Sequence, residues 1–296
     1  MDKMLTAKTS KSPATSLEQS RYPDLLAAID MGSNSFRLEI GQIAKGRYKR
    51  IEYLKETVRL GGGLDSHGML TEEATQRGLA CLAGFAQRLK GFAPWQVRAV
   101  ATQTLREARN RDAFLQRADR VLGHRIEVIA GREEARLIYL GVSRLQPSEL
   151  PRLVIDIGGR STEMILGHGR TPIRKESFGI GSVSLSMQHF PQGQYTADNF
   201  RAAQIAAGAE LEEALTLFER HQWQEALGSS GTVGAVSQIL AANGITDGSI
   251  TPEGLRWCIE RCIEAGSAEL LALPGLKAER KPVLAGGLCI LYTLAS

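Results

Sequence analysis

Two short turns of the same residue types, 126 residues apart, are the strongest chemical feature of this sequence. The first reads Asp30-Met-Gly-Ser-Asn-Ser and the second reads Asp156-Ile-Gly-Gly-Arg-Ser, and each follows an apolar segment typical of a buried strand. Glycine and serine in such a turn leave backbone N–H groups free to bind phosphate oxygens. The aspartate at each strand end can hold Mg²⁺ beside those phosphates, directly or through water.

A third turn rich in glycine and serine, Gly228-Ser-Ser-Gly-Thr, follows a short predicted strand and opens a predicted helix. The N-terminus of a helix attracts anions through its unpaired N–H groups and its dipole. One such turn alone is most often an ordinary β-turn. Two matched turns and a third, all placed after strands, predict a phosphate-binding site.

The charged residues near these turns leave their roles open. Glu133 and Glu134 lie in the first turn of a predicted helix, where the macrodipole favours carboxylates, and the pattern does not choose between them. Arg106 follows a predicted strand, but the arginine-rich segment around it suits a solvated face. Glu163 begins a strand and is also compatible with an ion pair to Arg160.

The spacing of apolar residues predicts the elements that position these turns. The predicted strands are Leu25–Asp30, Phe36–Ile43, Arg47–Val58, Gln96–Ala101, Arg125–Ala130, Leu153–Asp156, Glu163–Gly167, Arg174–Gly179 and Glu225–Leu227. The predicted helices are Thr71–Leu89, Leu105–Leu122, Glu133–Val142, Asn199–Phe218, Thr232–Ala242, Pro252–Ala265 and Gly286–Leu294.

The unit of strand, acid, small turn and strand occurs twice, which indicates an internal duplication. We predict two α/β domains that face each other across a cleft, the first over residues 22–139 and the second over residues 140–296. Residues 1–21 are rich in serine, threonine and lysine with almost no apolar periodicity, which predicts a disordered tail.

Composition excludes several classes of protein. Hydrophobic residues make up 43% and charged residues 23%, which excludes a fully disordered chain. We find no apolar run of the roughly 20 residues that span a bilayer and no signal peptide, and four cysteines are too few for a disulfide scaffold. We therefore expect a cytoplasmic protein without a nucleic-acid partner. The net charge of +4 permits a polyanionic substrate.

The sequence resembles the exopolyphosphatase / guanosine pentaphosphate phosphohydrolase (Ppx/GppA phosphatase) family in six stretches that occur in the correct order. These stretches are Ala28–Phe36, Ala101–Arg106, Gly131–Tyr139, Val154–Glu163, Gly228–Thr232 and Glu279–Leu288. The resemblance covers the chain from about Leu25 to its end. It implies the actin-like (ribonuclease H-like) fold of the sugar kinase and heat-shock ATPase superfamily, in two duplicated domains.

The resemblance also implies the hydrolysis of a terminal phosphoanhydride with Mg²⁺, and leaves a requirement for K⁺ open. Glu134 is then the base that activates the attacking water, Arg106 grips a phosphate, and Asp156 and Glu163 hold or orient the metal. The implied phosphate-binding residues are Asp30, Ser33, Asn34, Gly158, Gly159, Ser161, Thr162, Gly228, Ser230, Gly231 and Thr232.

Three departures from the family pattern occur, and the one at Ser182, where relatives often have cysteine, should have little effect. Arg160 stands where relatives usually have a small residue, so it either adds a cation at the phosphate or crowds it. The chain also stops at Ser296, where longer relatives continue. We therefore hypothesise a two-domain fragment. The resemblance implies a homodimer for the full-length protein, and we expect a monomer for a fragment.

The motifs leave four functions open. An exopolyphosphatase acting on inorganic polyphosphate leads, and a guanosine pentaphosphate phosphohydrolase uses the same motifs. An ATP-dependent kinase of the same superfold would need an adenosine pocket, which Gly228–Thr232 could supply. A sensor that keeps the phosphate turns without catalysis is the fourth, and Arg160 is the feature that would favour it.

Overall fold

The computed structural model of the chain describes residues 21–295. The predicted disordered tail therefore lies outside the described residues, apart from Arg21. Two apolar cores, one under each of two sheets, hold most of the buried side chains of the described part. No helix among residues 21–295 is long and apolar enough to cross a membrane.

The first sheet contains five strands in the order β3-β2-β1-β4-β5. These strands are β1 (Leu25–Met31), β2 (Phe36–Ala44), β3 (Arg47–Glu56), β4 (Val97–Ala101) and β5 (Ile126–Val128). The first three are antiparallel neighbours, while β4 pairs in parallel with both β1 and β5. Lys45 and Gly46 join β2 to β3 with φ angles of 51° and 73°, the positive values that a two-residue hairpin turn requires.

Three helices accompany this sheet: α1 (Glu72–Arg88), α2 (Gln103–Glu107) and α3 (Arg111–Leu122). The prediction of one helix over Leu105–Leu122 was wrong, because the chain leaves helical geometry between α2 and α3. There the side-chain amide of Asn110 donates to the carbonyl of Leu70 at 2.9 Å and accepts from its N–H at 2.8 Å. These two hydrogen bonds attach the non-helical segment between α2 and α3 to the loop that precedes α1.

The second sheet repeats the plan of the first, with four strands in the order β8-β7-β6-β9. The strands are β6 (Arg152–Ile157), β7 (Thr162–His168), β8 (Thr171–Phe178) and β9 (Glu225–Gly228). Strands β6, β7 and β8 are antiparallel neighbours, and β9 pairs in parallel with β6. The predicted fold class, two duplicated α/β units that face each other across a cleft, is confirmed.

The helices that cover the second sheet depart further from the prediction. They are α5 (Ser182–His189), α6 (Ala197–Glu210), α7 (Glu212–Leu217), α8 (Gly231–Ala242), α9 (Pro252–Ala265) and α10 (Lys281–Ala295). The predicted helix Asn199–Phe218 is interrupted at Leu211, and α5 was not predicted. A β-carbon on Gly286 of α10 would lie 2.6 Å from the carbonyl oxygen of Ser182, so the glycine permits the close approach of α5 and α10.

Helix α4 (Gly131–Leu145) leaves the first sheet and packs on the second. Its Ala135 and Tyr139 are buried against Val154 and Ile165 of the second sheet. The helix is continuous across residues 139 and 140, where we predicted the domain boundary. The division into two domains by residue number stays a prediction, and α4 is the helix that leads from β5 of the first sheet to β6 of the second.

Candidate active site

A narrow cavity lies where the loop after β1, the loop after β6 and the N-terminus of α8 meet. Its volume is about 80 Å³, which suits a group of the size of one phosphate. Most of the predicted phosphate-binding residues line it. The lining residues are Asp30, Gly32, Ser33, Asn34, Ser35, Arg37, Thr102, Glu134, Asp156, Ile157, Gly158, Gly159, Ser161, Ser230, Gly231, Thr232 and Arg280.

The two matched turns have the same local geometry. A β-carbon on Gly32 would lie 3.1 Å from the carbonyl oxygen of Ser35, and one on Gly158 would lie 3.0 Å from that of Ser161. The backbone N–H groups of Ser33 and Gly159 donate to no protein acceptor among residues 21–295. Such unpaired N–H groups are the donors that a bound phosphate needs.

The cavity is lined or flanked by four carboxylates whose charges disfavour one another. Desolvation is the main reason that the pKa of Glu134 rises to about 7, although the guanidinium of Arg106 opposes the rise. Burial also raises the pKa of Asp30 and of Asp156. Burial and the charges of Glu134 and Asp156 raise the pKa of Glu163 well above its usual value. A bound cation would allow this cluster to stay ionised at neutral pH.

Hydrogen bonds from an arginine hold the side chain of Glu134 in place. Nη1 of Arg106 donates to Oε2 of Glu134 at 2.9 Å and to the carbonyl of Ile129 at 2.9 Å. Nη2 of Arg106 is buried and has no partner among the described residues, and Arg106 lines a second cavity of about 850 Å³ rather than the wall of this one. Glu133, the sequence alternative, pairs with Arg136 at 2.7 Å and does not line the cavity. The geometry therefore favours Glu134 over its neighbour.

Some candidate residues lie outside the cavity wall. The hydroxyl of Thr162 is buried and donates to the carbonyl of Ile180 at 2.7 Å. Gly228 ends β9 and packs against Val233. Glu163 is 1% exposed and accepts from the hydroxyl of Ser177 at 2.8 Å, beside the carboxylates rather than on the wall.

The side chain of Arg160 contacts Glu107 of α2 instead of the cavity, which the sequence did not indicate. Its guanidinium pairs with Glu107 at 2.6 Å and does not line the cavity. It therefore neither adds a cation at the cavity wall nor crowds it. The alternative ion pair between Arg160 and Glu163 is wrong, because each side chain is bonded elsewhere.

Two arginines that sequence reasoning missed complete the cavity. Arg37 pairs with Asp30 at 2.9 Å, and the antiparallel register that sets the two opposite each other could have revealed it. Arg280 makes no side-chain hydrogen bond or ion pair within the described chain, and burial together with the charge of Arg37 lowers its pKa. A β-carbon on Gly231 would lie 2.0 Å from Nη2 of Arg280, so any larger residue there would displace this guanidinium from the start of α8.

The groups that could bind a metal ion in this site are carboxylate oxygens. Asp156 accepts from the hydroxyl of Ser229 at 2.5 Å, and its other oxygen is free of protein hydrogen bonds in the described chain. No cluster of three or more ligating side chains is preassembled among residues 21–295. One or two carboxylates that leave positions for water and phosphate oxygens are the usual Mg²⁺ site, so the residues present fit that ion.

Residues 40–296 match the Ppx/GppA phosphatase family. A Haemophilus influenzae protein named "Putative exopolyphosphatase" is 42% identical over 266 residues, which cover 90% of this chain and 82% of the relative. The guanosine-5'-triphosphate,3'-diphosphate pyrophosphatase of Pseudoalteromonas atlantica is 41% identical over 281 residues. That match covers 95% of this chain and 56% of the relative, so the chain spans just over half of that protein.

Solved structures of similar proteins have the same fold. An exopolyphosphatase from Cytophaga hutchinsonii superimposes with a TM-score of 0.77 at 26% identity, over 91% of this chain and 89% of that one. A Ppx/GppA enzyme of Aquifex aeolicus gives a TM-score of 0.72 at 26% identity, over 91% of both chains.

Proposed function

The chain belongs to the Ppx/GppA phosphatase family, and we propose that it is an exopolyphosphatase. It removes the terminal phosphoryl group of inorganic polyphosphate and releases orthophosphate. The observation that carries this proposal is the position of Glu134, which Arg106 holds on a phosphate-sized cavity between two glycine–serine turns.

The residues of the cavity have separate roles in phosphoryl transfer. The free N–H groups of Ser33 and Gly159 bind the equatorial oxygens of the terminal phosphate, and a contact of Arg106 with a phosphate stays a prediction. Glu134 accepts a proton from the attacking water. Burial raises its pKa to about 7 in the metal-free site, and a cation beside the cluster lowers it, so the carboxylate form is available at neutral pH. Arg280 is free to bind the phosphates that follow the terminal one.

Members of the family are generally metal-dependent, and we propose Mg²⁺ for this chain. Asp156 would hold the ion from the cavity wall and Glu163 would orient it from behind the wall, and the charge of Asp30 acts on Asp156. A bound Mg²⁺ neutralises developing negative charge on the phosphate oxygens. The carboxylates keep the ion beside the turns, and their mutual repulsion falls when it binds. A role for K⁺ stays a prediction.

A kinase reaction ranks behind hydrolysis, because the family and both relatives are named as phosphatases or a pyrophosphatase and not as kinases. Guanosine pentaphosphate stays the second candidate substrate, because the relative from Pseudoalteromonas atlantica carries that activity in its name. The reaction takes place in the cytoplasm in this proposal, which the four free cysteines support.

The test is phosphate release measured side by side from long-chain polyphosphate, guanosine pentaphosphate and ATP, with Mg²⁺ and with a chelator. We expect the highest kcat/KM with polyphosphate and Mg²⁺. An equal or higher value with guanosine pentaphosphate would reverse the order of the two substrates. Transfer from ATP to a small acceptor, with polyphosphate intact, would contradict the hydrolase.

A further inference from the structure

We propose that Arg160, Glu107 and Gln103 are positioning residues: they form a chain of hydrogen bonds that couples the second phosphate turn to Glu134 and orients that base. The proposal rests on the proposed function of Glu134. It assigns a task to the arginine that replaces a small residue in the turn, to Gln103 of the Ala101–Arg106 stretch, and to Glu107, which directly follows that stretch.

The first link crosses from the second unit to the first. Nε and Nη2 of Arg160 contact the same oxygen of Glu107, Oε2, at 2.8 Å and 2.6 Å. Nη1 of Arg160 donates to the carbonyl of Gly61 at 3.2 Å, and the N–H of Gly61 donates to the carbonyl of Ser33 at 2.8 Å. One guanidinium thus ties the second phosphate turn to α2 and to the first turn.

The fit of this guanidinium depends on a missing side chain. A β-carbon on Gly61 would lie 2.7 Å from Cδ of Arg160. The side chains of Arg160 and Glu107 are 21% and 31% exposed, so the pair is shielded from much of the solvent. A charge-assisted contact in such a place is stronger than a surface ion pair, because less water competes for it.

The second link runs along α2 to the base. The amide nitrogen of Gln103 donates to Oε1 of Glu107 at 2.6 Å, and its amide oxygen accepts from Nε of Arg106 at 2.8 Å. Nη1 of Arg106 then donates to Glu134 at 2.9 Å. The chain is continuous from the second phosphate turn to the carboxylate that faces the cavity.

The donors and acceptors in this series of hydrogen bonds match in only one orientation of the Gln103 amide. A flipped Gln103 amide would turn its oxygen toward the carboxylate of Glu107 and its NH₂ group toward the guanidinium of Arg106. Both contacts would be repulsive, since two acceptors would meet at Glu107 and two donors would meet at Arg106. Because Glu107 receives Arg160 on one oxygen and Gln103 on the other, the loss of Arg160 frees its carboxylate to rotate. The support that Gln103 gives to Nε of Arg106 is then weakened, and Arg106 keeps only the bonds from Nη1 to Ile129 and Glu134, so the orientation of the base is less constrained.

The test is a double-mutant cycle with steady-state kinetics on polyphosphate, using R160A, E107Q and R160A/E107Q. We expect kcat to fall about tenfold in each single variant, since a small misplacement of a catalytic group is costly, and to fall no further in the double variant. KM stays within about twofold, and R160K recovers part of kcat because a lysine supplies the charge without the fork. The control is R117A, which removes a bidentate arginine–glutamate pair with Glu72 inside the first unit and leaves kcat unchanged.

Other outcomes would overturn the proposal. An unchanged kcat in R160A contradicts it, and so does a rise in KM alone, which would make Arg160 a substrate-binding cation. Multiplicative losses in the double variant would show that the two residues act separately. The same cycle measured as melting temperature needs no substrate: coupled losses support the link between Arg160 and Glu107 even if the wild type releases no phosphate, and additive losses refute it.

Discussion

The ion pair between Arg106 and Glu134 predicts how the activity depends on pH. A general base works as the carboxylate, so kcat/KM should rise with pH through the pKa of Glu134, which a bound cation lowers from the value of about 7 in the metal-free site. The guanidinium of Arg106 holds this pKa down against desolvation. Arg106→Gln removes that positive charge, and the rising limb of the profile should move to higher pH.

The size of this shift follows from the geometry. Both side chains are only 18% exposed and their atoms are 2.9 Å apart, so solvent screens the pair weakly. A hydrogen bond to a charged group contributes about 1.5–3 kcal/mol, and one pKa unit corresponds to about 1.4 kcal/mol. We therefore expect the limb to move up by about one to two pH units in the variant.

The assay is phosphate release from polyphosphate between pH 5 and 10. Every variant is measured at the same Mg²⁺ concentration, and the result used is the difference in the position of the rising limb between variant and wild type. Arg98→Gln is the matched control, since Arg98 is 52% exposed and contacts Glu127 and Glu133 instead. Its profile should overlay that of the wild type. A limb that stays in place or moves to lower pH in Arg106→Gln would refute the assignment of Glu134 as the base.

Three further predictions test other parts of the site and the fold. Asp156→Asn should raise the Mg²⁺ concentration for half-maximal activity at least about tenfold, because a ligand charge is lost; an unchanged requirement would remove Asp156 from the metal site. Arg280→Ala should raise the KM for polyphosphate about tenfold with a similar kcat, since a half-buried guanidinium without an ion pair in the described chain is lost; an unaltered KM would contradict that contact. Asn110→Ala should lower the free energy of unfolding by about 1–3 kcal/mol in urea denaturation, because two hydrogen bonds to Leu70 disappear. A change below about 0.5 kcal/mol would show that those bonds do not hold the break between α2 and α3.

The sequence predicted the parts of the structure that local chemistry determines. Strands that end in an aspartate and a glycine–serine turn are recognisable because a short apolar run is followed directly by residue types that favour turns. Asp30 and Asp156 therefore revealed the duplication, and the third turn at Gly228–Thr232 revealed where α8 begins.

The parts that depend on long-range contacts could not be predicted in this way. The break between α2 and α3 is set by Asn110 and a loop 40 residues away. Helix α5 has few charged residues and packs on Gly286, so no amphipathic pattern marks it. The direction of Arg160 depends on Glu107, which is 53 residues away. Long-range pairs of this kind carry no local signal.

The measurement that tests the central claim most directly compares Glu134→Gln with Glu133→Gln in phosphate release from polyphosphate with Mg²⁺. Glutamine keeps the shape of the side chain and an oxygen that accepts from Arg106, but it cannot take a proton from water. We predict a loss of about 10²–10⁴ in kcat for Glu134→Gln, the usual contribution of a general base, and nearly full activity for Glu133→Gln. Wild-type kcat in Glu134→Gln, or an equal loss in both variants, would contradict the account.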